Sequence, residues 1–429
     1  MEQSHKKVVV IGTGPMGLMC AYELLKKGHQ VILCERDDRI GGMTASFDFD
    51  GLQIERYYHF ICSGDAPLLS LLKELNIEHA IRWRATKMGF YYNGKLYSWG
   101  DPFSLLKFPK LDFISKCRYA LHVLYCKNIK SWDYLDKQNG IKWLKKWLGT
   151  KTYHKLWESL LYLKYYELTE NLSAAWIASR IQRLAKSRKS IFSENLGFLE
   201  GGSQTLLDAM RKKIEQMGGE IHLNQAVEKI IVENNKVVGI SSSGMSLECN
   251  DVISTIPLPY VPDMIPDLPN STLEKIKNIQ NIGVVCVILK LSKPISDNFW
   301  INVNDPEILV PGVIEYSNLY PMENSIVYFP YYMPNDNAKH KQSNERFVEE
   351  VIKYLEKIRP DFSKTWILSS HVSRYQYAQT VCTPDFFSML PPMKTDIEGF
   401  YMADTSYYYP EDRSISESVR IGKILAGLL

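Results

Sequence analysis

VVVIGTGPMG, residues 8–17, is an apolar β-branched run followed by three glycines at GxGxxG spacing, Gly12, Gly14 and Gly17. The pattern predicts a buried strand that turns tightly into a helix. Leu18–Lys27 then carries apolar residues at helical spacing, Gly28 stands where a left-handed cap would end the helix, and VILCE supplies a second strand. In such a βαβ unit the first glycine makes the turn. The second lets backbone approach a pyrophosphate, and the third lets helix pack on strand. Glu35, at the end of the second strand, is placed to accept hydrogen bonds from ribose hydroxyls and to repel a 2′-phosphate, which argues against NADP. NAD and FAD both satisfy the pattern to this point.

The next residues separate them. ERDDRIGG, residues 35–42, sets Arg39 before adjacent Gly41 and Gly42 and runs on into MTASF. An arginine can neutralise a diphosphate, and bare glycine backbone can meet it closely. This stretch resembles the RxGG extension of the flavin-dependent amine oxidase superfamily, shared by protoporphyrinogen oxidases, phytoene desaturases and UDP-galactopyranose mutases. The resemblance implies FAD. It also implies a cofactor-binding set of Gly12, Gly14, Pro15, Met16, Gly17, Glu35, Arg36, Arg39, Gly41, Gly42, Met43 and Thr44.

A chain of 429 residues exceeds one ordinary core, so more than one domain is expected. The leader MEQSHKK is too polar for a signal peptide, and no apolar stretch reaches the roughly 20 residues of a membrane span. The eight cysteines show neither CxxC pairing nor metal spacing, so no metal site is expected and a cytoplasmic protein is predicted. Net charge is +3, but unevenly spread: residues 107–189 hold 18 Lys and Arg against 6 Asp and Glu. That segment, rich in aromatics (KWLKKWLGTKTYHKLWESLLYLKYYEL), reads as a helical insertion with cationic side chains around apolar faces. Three uses of the charge compete: a solvated surface, a phosphate-bearing substrate, and peripheral contact with a membrane surface. Nucleic acid is excluded as a partner for want of any binding motif.

Downstream, Gly201 and Gly202 precede a helix closed by Gly218 and Gly219, and Asn234 with Asn235 marks a hairpin. The superfamily has the same order, and its adenine is touched by backbone at the position matching Val227. DVISTIP reads as another strand of the nucleotide domain. From residue 259 to 380 the pattern changes to strands such as VVCVILKL, a helix near Glu345–Lys357 and aromatic loops such as VYFPYYMPN, which suits a sheet-based substrate domain. In GFYMADTSYYYPEDRSISES the resemblance gives Asp404 to the ribityl chain and points the helix beginning near Ser416 at the flavin pyrimidine. The sequence departs from the family pattern there: Ala403 replaces the usual glycine, and Tyr407–Tyr409 are bulky.

The resulting expectation is an α/β protein. Its discontinuous Rossmann-like, glutathione-reductase-like FAD domain spans residues 1–100, 196–258 and 381–429, with a basic helical insertion at 101–195 and a substrate domain at 259–380. His59, in ERYYHFI, is the catalytic candidate because the matching family segment passes beside the isoalloxazine. YLKYYELTENLSAAWIASRIQRL is similar to a mutase segment, which implies substrate contacts from Tyr165, Tyr166, Trp176 and Arg180; Tyr377 is a further substrate-binding candidate. The expected activity is FAD-dependent removal of hydride from a CH–X or CH–CH bond of an anionic small molecule. Porphyrinogen, polyprenyl, amine and sugar-nucleotide substrates, and several electron acceptors, remain open. The alternatives are a redox-neutral nucleotide-sugar mutase and a non-catalytic flavoprotein scaffold.

Overall fold

The computed structural model describes residues 5–190, 193–242 and 244–429, so Met1–Ser4 of the leader lie outside the described residues. The opening motif folds as its residues demand: strand Lys7–Ile11, helix Pro15–Lys26, strand Gln30–Cys34. These strands sit in a five-stranded parallel sheet ordered Glu220–His222, Gln30–Cys34, Lys7–Ile11, Asp251–Ser254, Phe400–Met402. Val8, Val9 and Val10 are fully buried, as expected of a strand covered on both faces. Strands from the beginning, middle and end of the chain thus share one sheet.

The closing helix, Ile415–Gly427, packs along helix Pro15–Lys26. Its Gly422 permits the approach, since a Cβ there would fall 2.6 Å from the Met16 carbonyl oxygen. Helix Gln204–Gln216 is closed by Gly218, and Asn234 and Asn235, both at positive φ, turn the hairpin between Val227–Glu233 and Lys236–Ser242.

The second sheet has seven strands, ordered Ile367–Thr380, Asn281–Leu291, Ser325–Pro334, Gly312–Glu315, Trp300–Asn304, Met88–Tyr92, Lys95–Trp99. Its last two strands precede residue 100, yet they join this sheet: Met88–Tyr92 pairs with Trp300–Asn304, and Lys95–Trp99 pairs with Met88–Tyr92. The expected aromatic loop VYFPYYMPN is instead strand Ser325–Pro334, deep in this sheet. Pro330 is tolerated because strand Gly312–Glu315 pairs only with Val327 and Tyr328, leaving the ladder one-sided where proline lacks its N–H. The helix expected near Glu345 runs Asn344–Ile358. Helices from Pro102–Lys107 to Ala174–Lys186 form the insertion.

Candidate functional site

One large cavity, about 1250 Å³, runs between the two sheets and the helical insertion. It exceeds the ~300–1,000 Å³ of an ordinary small-molecule pocket. At one end it is lined by Gly12, Gly14, Pro15, Met16, Glu35, Arg36, Gly42, Met43, Thr44 and Val227. A Cβ on Gly14 would meet nothing within 4 Å, so this glycine faces open cavity. Helix Pro15–Lys26 starts beside it with no side-chain cap, leaving its first N–H groups for an anion. Gly17 works from behind: a Cβ there would lie 2.0 Å from the Gly12 carbonyl oxygen.

Glu35 is nearly buried and held on both oxygens. Thr13 donates to Oε2 from its N–H at 2.9 Å and its hydroxyl at 2.8 Å, and the Asp37 N–H donates to Oε1 at 3.0 Å. Arg39 does not line the cavity. Its guanidinium donates to the Asp38 carboxylate at 2.6 Å and to the Ser46 carbonyl at 3.1 Å. The cavity-lining cations at this end are Arg36, stacked 5.1 Å from the Tyr260 ring, and Arg56, paired with Asp37 at 2.6 Å. Gly41, at φ 114°, packs under Leu207 and turns the chain toward Gly42. Tyr377 meets Tyr260 edge-on at 5.0 Å, so it stands at this end, beside Arg36, and not with the other substrate candidates.

Asp404, also buried and cavity-lining, accepts from the Leu258 N–H at 2.9 Å and from the Ser406 N–H at 2.9 Å; burial nevertheless raises its pKa. Ser414 caps the closing helix and lines the cavity with Ile415, whereas Ser416 turns inward toward the Leu68 N–H.

The opposite end is built differently. His59 lines the cavity with its Nδ1 2.5 Å from Glu55, a buried carboxylate whose other oxygen accepts from the Ser203 N–H. Beyond it stand Lys164, Arg180, Asp412, Arg413 and Tyr332. Lys164 is buried among aromatic faces, 5.2 Å from Trp176 and 5.1 Å from Tyr332. Burial, then the Arg180 charge, pushes its pKa well below the ordinary lysine range, with Asp412 pulling the other way. Asp412 also suffers burial, but Arg180 at 2.5 Å, Lys164 and Arg413 outweigh it and hold the acid ionised. Arg413 Nε, Trp176 Nε1 and Tyr165 Oη are buried without a hydrogen-bond partner.

Tyr165 and Trp176 therefore form a layer behind Lys164, edge to face at 5.2 Å, and do not line the cavity. Tyr166 falls in a separate cleft with Tyr162 and Asn304. Lys164, Tyr332, Asp412 and Arg413 escaped the sequence reading. The one available signal was a lone lysine inside an aromatic helix, YLKYY.

Comparison with known proteins agrees with this geometry. The profile of the family described as "Flavin containing amine oxidoreductase" matches residues 17–410. The chain belongs to that family. Among curated relatives, the 15-cis-phytoene desaturase of Glycine max is 22% identical, covering 98% of this chain and 78% of its own. The zeta-carotene desaturase of Synechocystis sp. is 22% identical, over 92% and 91%. Among solved structures, an oxidoreductase from Methanosarcina mazei aligns with a TM-score of 0.76 at 19% identity, over 97% of this chain and 99% of that one. Cyclohexylamine oxidase from Brevibacterium oxydans aligns with 0.70 at 15%, over 99% and 98%. The family cofactor is FAD, and the protein is an FAD-dependent oxidoreductase. The open face of Gly14, the uncapped helix and the doubly held Glu35 fit an adenine dinucleotide laid lengthwise.

Proposed function

We propose that this oxidoreductase removes a hydride from a CH–X or CH–CH bond of a small molecule bearing an anionic group. The anionic group is carried by one observation: Lys164, Arg180 and Arg413 face a single carboxylate, Asp412, in a buried pocket with donors to spare. Such a charge excess is costly unless an acceptor-rich group enters. FAD, when bound, supplies the hydride acceptor. The chain's own residues do the rest. Glu55 accepts a hydrogen bond from the Nδ1–H of His59, which leaves Nε2 with its lone pair for the proton that a CH–XH substrate must shed as C=X forms. Met43, Asp404 and Ser414 would hold the cofactor between the adenosine end and this pocket.

An anaerobic absorbance screen of the yellow holoprotein against amines, polyenes, porphyrinogens and nucleotide sugars tests the proposal. Bleaching by one class, with colour restored by oxygen or a quinone, is expected. Turnover that needs pre-reduced flavin and consumes no acceptor would favour the mutase chemistry instead, and bleaching by none would leave a scaffold.

A further inference from the structure

Residues that both line the cavity and reach solvent lie mainly in two places, which we read as its mouths. Arg36, Ala226 and Glu228 mark the first, at the adenosine end. Pro102, Ala120, Leu124, Lys127 and Leu184 mark the second, all from the insertion. Helix Phe113–Lys127 is unusual for a helix at such a place. Tyr119, Ala120, Val123 and Lys127 give it a cavity-lining face, while Ile114, Leu121 and Tyr125, spaced by seven and four residues, share the opposite face. That outer face is not polar: Ile114 is 72% exposed and Leu121 59%, and the adjoining Phe113 is 71% exposed. Phe103 and Leu106 on helix Pro102–Lys107 extend the apolar surface.

A helix apolar on two opposite faces needs two apolar surroundings, and the fold provides only one. Exposed Lys107 and Lys110, at and just after the end of helix Pro102–Lys107, and Lys130, just past helix Phe113–Lys127, flank the patch along the chain, whereas the acids Asp101 and Asp112 are used as helix caps. Apolar residues flanked by lysines match the interfacial layer of an anionic bilayer better than a water surface. No helix among the described residues is long and apolar enough to cross a membrane, so the contact would be in-plane.

We infer that helices Pro102–Lys107 and Phe113–Lys127 dock on an anionic phospholipid surface and seat the second mouth against it, so that a lipid-soluble tail enters from the bilayer while its anionic end reaches the Lys164 pocket. Entry of substrate by this route rests on the oxidoreductase reading; docking does not. The holoprotein is therefore tested for sedimentation with vesicles of phosphatidylcholine alone and with added phosphatidylglycerol. Cys117, the exposed cysteine of the eight, takes an environment-sensitive fluorophore on the same helix.

Binding to the phosphatidylglycerol vesicles, a blue shift of the label, and weakening by salt are expected. The Phe113→Asp, Ile114→Asp, Leu121→Asp variant should keep its yellow colour and lose vesicle affinity by about tenfold or more. Failure of the holoprotein to sediment with either vesicle would overturn the inference. So would unchanged binding by the yellow variant, or a stable dimer that covers Phe113 in the absence of lipid. If vesicles bind but no substrate class bleaches the flavin, docking stands and the reaction assignment falls.

Discussion

The two ends of the cavity solve opposite problems. At the adenosine end the charged groups named above are answered within the fold: Glu35 has three donors, Arg56 has Asp37, and Arg39 has Asp38 and a carbonyl. What is left open is space and bare backbone, at Gly14 and the start of the first helix. At the far end the space is lined by charges and donors the fold does not answer, among them Lys164 and Arg413 Nε. A site that always holds the same cofactor can be finished in advance. A site that must take and release a ligand keeps part of its complement unfilled.

The sharpest way to break this contrast is at the glycines. Gly17→Val forces a side chain onto the Gly12 carbonyl, where even a Cβ would sit at 2.0 Å, and should yield little folded protein and none that is yellow. Gly14→Val should fold, because nothing lies within 4 Å of its Cβ, and should lose FAD all the same. Thermal melts of the FAD-free proteins separate the two effects. If Gly14→Val melts as low as Gly17→Val, the cavity at Gly14 is not the cofactor's space.

Charge left over at the far end should also appear in stability. Burial, then the neighbouring Glu417 charge, raises the Glu411 pKa to about 7, against the lowering effect of Arg183. Its folded value lies above its unfolded one, so the folded state holds the proton more tightly. Stability from this group is present at low pH and lost as pH climbs from about 4.5 toward 7. Glu411→Gln should remove that slope and raise stability at pH 8 by up to ~3 kcal/mol, read from urea melts at several pH values. An unchanged slope would mean that this end carries no such strain.

The same unevenness explains what could be read from the sequence. The adenosine end depends on local backbone: strand, turn, helix and strand within 35 residues, each with its own signature in glycine and β-branched residues. The far end is assembled from His59, Lys164, Arg180, Tyr332 and Asp412, which no spacing rule connects. Local rules also misread Ser325–Pro334 as a loop, because Pro330 speaks against a strand unless one knows that its neighbour stops short. Tyr377, a substrate-binding candidate from the sequence, stands instead beside Arg36 through their shared contact with Tyr260, which only the fold reveals.

Lys164→Met sharpens the comparison further. An arriving anion would favour the charged lysine, so binding should take up a proton and weaken as pH rises, a dependence set by the depressed Lys164 pKa. The methionine fills the aromatic surroundings without a charge. KM for an anionic substrate should rise about tenfold, some ~1–3 kcal/mol, and lose its pH dependence, while FAD affinity is unchanged. A loss of FAD affinity instead would make Lys164 a cofactor ligand and bring the far end under the rule of the near one.

The mildest test returns to the finished end. Thr13→Val deletes one of the three hydrogen bonds on Glu35 but keeps the side-chain shape and the N–H donor. Removing one donor from a carboxylate that retains two others should cost ~0.5–1.5 kcal/mol, a few-fold in the FAD dissociation constant measured by flavin fluorescence. The size matters because Thr13 never touches the cavity; it acts only by fixing Glu35. A null result would mean that the two backbone donors orient the carboxylate by themselves, whereas complete loss of FAD would mean that the adenosine end is as precarious as the cationic pocket opposite.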